Sequence, residues 1–427
     1  MIDIQEETQR PIHAFLIGKD IKANPLSELR GLVFTLGMNI LEEYILTRIE
    51  PTAQFGIGTG KAAEIAQIAK EIEAECIIFD FEISPTQQRN WERLAHIPVF
   101  DRQEVILKIF ASRARTKEAV LQVNLARLQY SLPRLAHSYG DMARQRGGNY
   151  GSKGSGETQL ELDRRGVLTK IAQIKKELAV VIQERETMRK HREKIPLPTC
   201  ALVGYTNAGK SSLLNALTDS EVFVEDKLFA TLDPTTRKLA LEGSQGILLS
   251  DTVGFISNLP HNLIDAFKAT LEEANRAQLL LLVLDSSDSE VLSHYQVVTQ
   301  ALSEINALNK DILIVLNKID ALPKKQTDIL PLQHATEMLS KKFPKALWVS
   351  AKTKEGFEDL KNAIAEKLYG KKQTFYIPLE RQEILQEIRK NGVLLSSYWK
   401  EHCIKITARV QGKLLQQLQQ FTQETKQ

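Results

Sequence analysis

Eight consecutive residues of the chain have the types and spacing that bind a nucleoside triphosphate. They form the run Gly204-Tyr205-Thr206-Asn207-Ala208-Gly209-Lys210-Ser211, which has the pattern GxxxxGK followed by Ser or Thr. The glycines let backbone N–H groups turn toward phosphate oxygens, the Lys210 ammonium can reach the β- and γ-phosphates, and the Ser211 hydroxyl can ligate Mg²⁺. An apolar run precedes these residues and a helical pattern follows them, as the motif requires.

Three shorter motifs follow in the order that triphosphate binding and base recognition need. Asp251-Thr252-Val253-Gly254 ends an apolar run; its carboxylate can hold the Mg²⁺ shell, and its Gly amide can bond the γ-phosphate. Asn317-Lys318-Ile319-Asp320 offers a carboxylate that accepts from guanine N1–H and the 2-amino group, which adenine cannot supply. Ser350-Ala351-Lys352 can place a backbone amide near guanine O6. Together the four motifs predict a GTPase.

The segment from Leu228 to Arg237 lies where a GTPase needs a threonine that senses the γ-phosphate. Thr231, Thr235 and Thr236 compete for this role, and their chemistry alone does not choose among them.

Gly254 is followed by Phe255, where many GTPases carry a Gln that orients the attacking water. The phenyl ring neither donates nor accepts a hydrogen bond, so the water must be positioned by the backbone, another side chain or a partner. Phe255 can also simply anchor the following segment. The substitution predicts slow intrinsic hydrolysis that a docked partner accelerates.

The predicted fold class is a multidomain α/β protein in which four stretches position these groups. Residues 1–112 alternate short apolar runs with helical patterns, which predicts an N-terminal α/β subdomain with a parallel sheet. Residues 113–195 carry apolar side chains at three- and four-residue spacing on two long segments, which predicts an antiparallel helical hairpin. Residues 196–370 hold the motifs and form the predicted P-loop domain. Residues 371–427 are predicted to form a small α/β domain.

The connection between the two hairpin helices, residues 140–166, holds seven of the 22 glycines. A flexible, solvated connection and an RNA-contacting loop both fit this composition, because Gly lets backbone amides approach phosphates while Arg and Tyr add charge and stacking. The basic residues that would contact RNA are Arg144, Arg146, Lys153, Arg164 and Arg165.

Composition and charge narrow the class of protein. The 427 residues are 43% hydrophobic and 26% charged, as in ordinary globular chains, and the net charge is +3. A net charge this small argues against a polycation that coats nucleic acid. Positive charge is nevertheless concentrated in residues 112–194, which carry 18 Lys and Arg against nine Asp and Glu. Three scattered cysteines predict neither disulfides nor a zinc ribbon, and the absence of a long apolar run and of a signal peptide pattern predicts a cytoplasmic protein.

A second glycine-rich stretch, Gly56-Ile57-Gly58-Thr59-Gly60-Lys61, has the wrong spacing for a Walker loop. A turn that starts a helix is the favoured interpretation, and phosphate binding by Lys61 is the alternative.

Beyond these motifs the sequence resembles the HflX family of translational GTPases, within the Obg-HflX group. The most specific shared element is Gly156-Glu157-Thr158-Gln159-Leu160-Glu161-Leu162-Asp163-Arg164-Arg165, and Phe229-Ala230-Thr231-Leu232-Asp233-Pro234-Thr235 is similar too. The family usually has Pro where this chain has Ser155. The resemblance implies that Thr231 is the switch threonine and completes Mg²⁺ coordination with Ser211. It also implies that Asn207 matches a position that helps related GTPases bind K⁺; the alternative is a local turn residue.

The expected site residues are therefore as follows. GTP contacts are expected from Gly204, Tyr205, Thr206, Asn207, Ala208, Gly209, Lys210, Ser211, Ser212, Phe229, Ala230, Thr231, Leu232, Asp233, Asp251, Thr252, Val253, Gly254, Asn317, Lys318, Asp320, Ser350, Ala351 and Lys352. Magnesium ligands are expected to be Ser211 and Thr231, and catalytic groups Lys210, Thr231 and Gly254.

The resemblance further implies that a monomer binds the large (50S) ribosomal subunit and its rRNA, that the hairpin loop approaches the peptidyl transferase region, and that the GTP form splits or rescues stalled 70S ribosomes. Hydrolysis to GDP and phosphate would drive release. No stable membrane insertion is expected, although a fraction of the protein can associate peripherally with membranes. One alternative is a GTP-dependent switch in ribosome biogenesis or RNA metabolism that does not split ribosomes. A second is a tRNA-modifying GTPase, but the three isolated cysteines do not form a catalytic site. A third is a switch that binds only a protein partner.

Overall fold

The computed structural model describes the chain in segments that together hold most of the predicted elements. These segments are residues 10–20, 26–47, 52–138, 155–192, 197–218, 228–229, 231–232, 234–244, 246–257, 273–322, 330–400 and 402–422. The chain forms two compact units. The N-terminal unit comprises residues 1–192, 226–233 and 258–268, and the C-terminal unit comprises residues 193–225, 234–257 and 269–427. The division into four domains stays a prediction.

A four-stranded parallel sheet in the order β2-β1-β3-β4 is the centre of the N-terminal unit. Its strands are β1 (His13–Lys19), β2 (Asn39–Leu46), β3 (Cys76–Phe79) and β4 (Val99–Asp101). The helices are α1 (Ser27–Thr35), α2 (Thr59–Glu71), α3 (Pro85–Ala95) and α4 (Arg102–Arg113). Apolar side chains of the strands and helices bury one another, as expected for strands between amphipathic helices.

Gly58 is the N-cap of α2, so the glycine-rich stretch at 56–61 starts a helix, as the favoured interpretation predicted. The Lys61 ammonium donates to the Tyr44 hydroxyl at 2.6 Å and pairs with Glu64 at 2.9 Å.

Two long helices form the predicted hairpin, α5 (Lys117–Ser138) and α6 (Ser155–Arg192). Arg134 ties α5 to the sheet: its guanidinium contacts the buried Asp101 carboxylate at 3.1 Å and lies 3.4 Å from the centre of the Tyr130 ring. Burial raises the pKa of the Asp101 carboxyl, although the Glu104 amide and Arg134 oppose the rise. The base of the hairpin is therefore anchored by a buried polar network.

The extent of the connecting loop differs from the prediction. Helix α6 begins at Ser155, so residues 155–166, including Arg164, Arg165 and Gly166, are helical rather than part of a glycine-rich loop. Glu, Gln, Leu and Arg are good helix formers that outweigh the roughly 1 kcal/mol that a glycine costs in a helix. An exposed pair between Arg165 and Glu161, at 3.7 Å, also supports the helix. Arg144, Arg146 and Lys153 lie outside the described residues.

The P-loop domain contains a six-stranded sheet in the order β10-β9-β8-β5-β7-β6, in which only β6 runs antiparallel to its neighbour. The strands are β5 (Thr199–Gly204), β6 (Thr235–Leu239), β7 (Ile247–Asp251), β8 (Leu279–Asp285), β9 (Asp311–Asn317) and β10 (Leu347–Trp348). The helices are α7 (Lys210–Thr218), α8 (Val291–Glu304), α9 (Leu330–Lys342) and α10 (Phe357–Tyr369). The continuous apolar run of β8 fits its place inside the sheet, where both faces are buried.

The C-terminal residues form an antiparallel sheet in the order β11-β13-β12, with two helices on one face. The elements are β11 (Lys372–Pro378), α11 (Glu383–Asn391), β12 (Val393–Trp399), β13 (Cys403–Arg409) and α12 (Gly412–Leu418). Ile404, Ile406 and Ala408 are fully buried, as their alternation with polar residues predicts.

Within the ranges that the structure covers, no helix is both long enough and apolar enough to cross a bilayer.

Candidate functional site

The P-loop joins the C-terminal end of β5 to the N-terminus of α7. Gly204 ends β5, and Lys210, Ser211 and Ser212 form the first turn of α7, whose N-terminus favours anions. Gly209 has φ +86°, and a Cβ atom there would lie 2.3 Å from the Asn317 amide nitrogen. Only glycine therefore fits this position, which links the phosphate loop to the base-recognition segment.

Lys210 is buried beneath the loop that it serves. Its ammonium donates to the carbonyl oxygens of Tyr205 at 2.8 Å and Gly204 at 3.2 Å. Burial lowers the Lys210 pKa to about 8, and the Asp251 charge opposes that shift. A phosphate group brought to this ammonium would favour its charged form, because opposite charges stabilise each other strongly where water is excluded.

Ser211 and Asp251 bring together two kinds of oxygen atom that fit a magnesium ion. The Ser211 hydroxyl donates to the Asp251 carboxylate at 2.6 Å, which brings the first turn of α7 to the end of β7. Thr252 fixes the following backbone by donating to the Leu202 carbonyl at 2.7 Å. Because Mg²⁺ takes oxygen ligands from one or two protein groups together with phosphates and water, these hydroxyl and carboxylate oxygens fit the ion.

The segment after Asp251 pairs with the P-loop through its backbone. The Thr206 amide donates to the Phe255 carbonyl at 2.7 Å, and the Phe255 amide donates to the Gly204 carbonyl at 3.1 Å. Phe255 itself is only 5% exposed. Its ring therefore acts as an apolar anchor, and its backbone holds Gly254 against the phosphate loop.

A contact network that sequence reasoning missed surrounds this pairing. The Tyr205 hydroxyl accepts from the Ser257 amide at 2.7 Å and lies 2.7 Å from the Ser257 hydroxyl. The Tyr205 ring stacks on His294 with centroids 3.7 Å apart, and Asp288 holds the His294 Nδ1 at 2.7 Å. The sequence predicted that Tyr205 belongs to the phosphate loop but not these contacts, because its partners are distant along the chain.

The base-recognition residues meet at the end of β9. Asn317 bridges the site: its side-chain nitrogen donates to the Ala208 carbonyl at 3.0 Å, and its side-chain oxygen accepts from the Ala351 amide at 3.1 Å. Lys318, with φ 64°, pairs with Asp285 at 2.8 Å. The Ser350 hydroxyl donates to the Asp320 carboxylate at 2.5 Å, which orients the group that would read guanine.

The predicted switch residues belong to the N-terminal unit rather than to the unit that holds the P-loop. Phe229, Thr231 and Leu232 lie there, whereas Ala230 and Asp233 fall outside the described residues. The Phe229 ring packs edge-on against Phe110 with centroids 4.6 Å apart. The Leu228 amide donates to the Thr35 hydroxyl at 3.1 Å. The threonine that would sense the γ-phosphate thus lies two residues from an anchor in the N-terminal unit.

Replacing Gly254 by alanine is expected to slow GTP hydrolysis by roughly 10- to 100-fold while nucleotide binding changes less. A Cβ atom at this position would lie 2.7 Å from the Thr206 Cα and 3.0 Å from the Lys210 ammonium nitrogen, so the segment must move off the P-loop. Single-turnover hydrolysis and equilibrium binding of a fluorescent GTP analogue separate the two effects. Gly58→Ala is the matched control, because a Cβ there meets nothing within 4 Å. An unchanged hydrolysis rate in Gly254→Ala would contradict this role.

Comparison with known proteins gives matches along most of the chain. Family models described as the N-terminal and the middle region of a GTP-binding GTPase match residues 23–111 and 113–192. A model described as a 50S ribosome-binding GTPase matches residues 199–318.

Individual relatives agree with these matches. GTPase HflX of Akkermansia muciniphila is 42% identical over 94% of this chain and 94% of its own length. GTPase HflX of Escherichia coli K12 is 42% identical over 86% of this chain and 84% of its own length. A GTP-binding protein of Sulfolobus solfataricus, solved with GDP, is 28% identical, covers 83% of this chain and 98% of its own, and has a TM-score of 0.44.

Proposed function

We propose that this chain, which belongs to the HflX family of GTPases, binds the large (50S) ribosomal subunit in its GTP form and splits or rescues stalled 70S ribosomes. Hydrolysis of GTP to GDP and phosphate then drives release. The observation that carries the proposal is the match of a 50S ribosome-binding GTPase model to residues 199–318, which include the P-loop, Asp251, Gly254 and Asn317.

The chemistry of the switch follows from the residues of the site. Ser211 and Thr231 would hold Mg²⁺, which would supply positive charge to the phosphates of bound GTP. Lys210 neutralises charge on the same phosphates, and the Gly254 amide donates to the γ-phosphate. Thr231 belongs to the N-terminal unit and lies two residues after Phe229, whose ring packs against Phe110 of the same unit.

Asn207 is proposed to ligate K⁺. Its φ of 60° is a conformation that Asn adopts more readily than most residues, which also accounts for its presence as a turn residue. Rates of GTP hydrolysis in KCl and in NaCl decide between the two roles. A faster rate in KCl supports K⁺ binding, and equal rates indicate that Asn207 is only a turn residue.

The hairpin is the proposed rRNA-binding element. Its residues carry the excess of Lys and Arg noted above, and the described residues Arg164 and Arg165 are exposed on α6. Phosphate contacts by such residues dominate affinity for nucleic acid.

Co-sedimentation with purified 50S subunits tests the proposal. We expect binding with a non-hydrolysable GTP analogue and weak binding with GDP. Reversing Arg144, Arg146 and Arg165 to Glu should weaken binding, whereas reversing the three exposed lysines Lys341, Lys342 and Lys345 on the P-loop domain should not. Binding that ignores the nucleotide would contradict the switch, and unaltered binding of the arginine variant would contradict the hairpin assignment.

The second candidate is a GTP-dependent switch in ribosome biogenesis or RNA metabolism without splitting activity. It shares the same site and the same basic hairpin, so nucleotide-dependent 50S binding without loss of 70S particles would favour it.

A further inference from the structure

Two large aromatic side chains stand exposed at the end of β12. Tyr398 and Trp399 are each 64% exposed, whereas Trp91 in the N-terminal unit is fully buried. Burying rings of this size would stabilise the fold, because removing apolar surface from water is favourable; exposed rings do not contribute this free energy. Neither residue takes part in the nucleotide site, so the exposure calls for another explanation.

Strand register places Tyr398 in a row with two other side chains. On the central strand, Lys405 lies opposite Tyr398 of β12 and opposite Tyr376 of β11. The neighbouring Ile404 and Ile406 are fully buried against the helices, so the row occupies the opposite face of the sheet. The two tyrosines are about 10 Å apart across the central strand, given the usual spacing of strands.

Positive charge accompanies these rings. The Lys400 ammonium lies 5.5 Å from the centre of the Tyr376 ring, and Lys405 lies between the two tyrosines. Residues 371–427 as a whole carry ten Lys and Arg against five Asp and Glu. We call Tyr376, Tyr398, Lys400 and Lys405 the aromatic platform; Trp399 is paired with Ile404 and so lies on the other face of the sheet.

The C-terminal sheet packs against the P-loop domain near Leu395, at the end of β12 opposite to the aromatic platform. Leu395 lies so close to Gly243 that a Cβ atom on that glycine would be 2.8 Å from the Leu395 side chain. The Arg409 guanidinium of β13 donates to the Asn362 side-chain oxygen of α10 at 3.1 Å, which further joins the two parts. The aromatic platform is at the end of β12 away from Leu395, and its exposed rings take no part in that contact.

The chemistry of the platform favours single-stranded RNA over a protein partner. Lysine is depleted in the cores of protein–protein interfaces, and here Lys405 is at the centre of the row. Proteins that bind single strands combine rings on which bases stack with cations that contact phosphates. A sheet face with two or three such aromatics is a known arrangement for unpaired bases.

We propose that the aromatic platform binds single-stranded RNA, with bases stacked on Tyr398 and Tyr376 and phosphates contacted by Lys400 and Lys405. The platform shares no residue with the GTP motifs or with the hairpin, so the proposal goes beyond the function proposed above. Free oligonucleotide binds it without ribosomes and in either nucleotide state.

Fluorescence anisotropy of the full chain with a labelled oligouridylate of about twelve nucleotides tests the proposal. Tyr398→Ala and Tyr376→Ala should each weaken the affinity, raising the Kd by about 5- to 100-fold. Lys405→Ala should lower the slope of log affinity against log salt by about 0.7. Phe34→Ala, which removes a 63% exposed aromatic ring of the N-terminal unit, should leave the Kd unchanged.

Two outcomes would overturn the proposal. One is failure of the oligonucleotide to bind, or binding that neither Tyr398→Ala nor Tyr376→Ala weakens. The other is loss of 50S co-sedimentation in these variants with unaltered oligonucleotide binding, which would indicate a protein partner. Because this assay contains no ribosomes, its failure leaves the proposed 50S binding to its own test.

Discussion

Asp320→Asn is expected to convert the chain from a guanine-binding to a xanthine-binding protein. The carboxylate accepts from guanine N1–H and the 2-amino group, whereas xanthine carries an acceptor oxygen in place of that amine. The amide of Asn offers one acceptor and one donor group, which match xanthine and leave a donor facing the guanine amine. Ser350 already contacts this side chain and would hold the amide in place.

The expected size of the effect is large because the mismatched groups are shielded from water. Affinity for GTP should fall on the order of 100- to 10,000-fold, and xanthosine triphosphate should restore hydrolysis. Equilibrium binding of both nucleotides, with hydrolysis of each, measures the exchange. Asp311→Asn is the matched control, because Asp311 starts β9, the strand that precedes Asp320, and pairs with Lys367 at 3.0 Å on the surface. Retention of GTP preference in Asp320→Asn would contradict the assignment of the base site.

Purified 50S subunits are expected to accelerate GTP hydrolysis by a hundredfold or more, on the scale of groups supplied in trans to other GTPases. Phe255 is buried and pairs through its backbone with Gly204 and Thr206, so its side chain does not orient water. The chain alone should therefore hydrolyse GTP slowly, and a docked surface should complete the site.

Single-turnover kinetics with and without subunits measure this stimulation. Lys210→Ala is the control for contaminating hydrolases. It removes the ammonium that neutralises the phosphates, so its hydrolysis should stay slow with and without 50S subunits. Fast hydrolysis by the chain alone, or no response to subunits, would contradict the interpretation of Phe255.

The sequence predicted the parts of the fold and site that depend on short segments. Each GTP motif follows an apolar strand, and in the structure Gly204, Asp251 and Asn317 are the last residues of β5, β7 and β9. Parallel strands bring these ends to one edge of the sheet, so strand patterns and motif spacing were enough to assemble the site.

Contacts between distant segments were not predictable in the same way. Ser257 is 52 residues from Tyr205, and no local pattern marks their hydrogen bond. The packing of Phe229 against Phe110 likewise depends on how the N-terminal unit folds. The start of α6 at Ser155 differs from the predicted loop for another reason. Its glycines suggest a loop, but the Glu, Gln, Leu and Arg residues between them favour a helix.

Sucrose-gradient analysis of 70S ribosomes with the purified chain is the most direct test of the central claim. With a non-hydrolysable GTP analogue, we predict that the 70S peak falls, the subunit peaks grow and the chain migrates with the 50S subunit. With GDP, the 70S peak should be unchanged. An undiminished 70S peak at saturating chain and analogue, or equal splitting with GDP, would contradict a GTP-driven ribosome-splitting function.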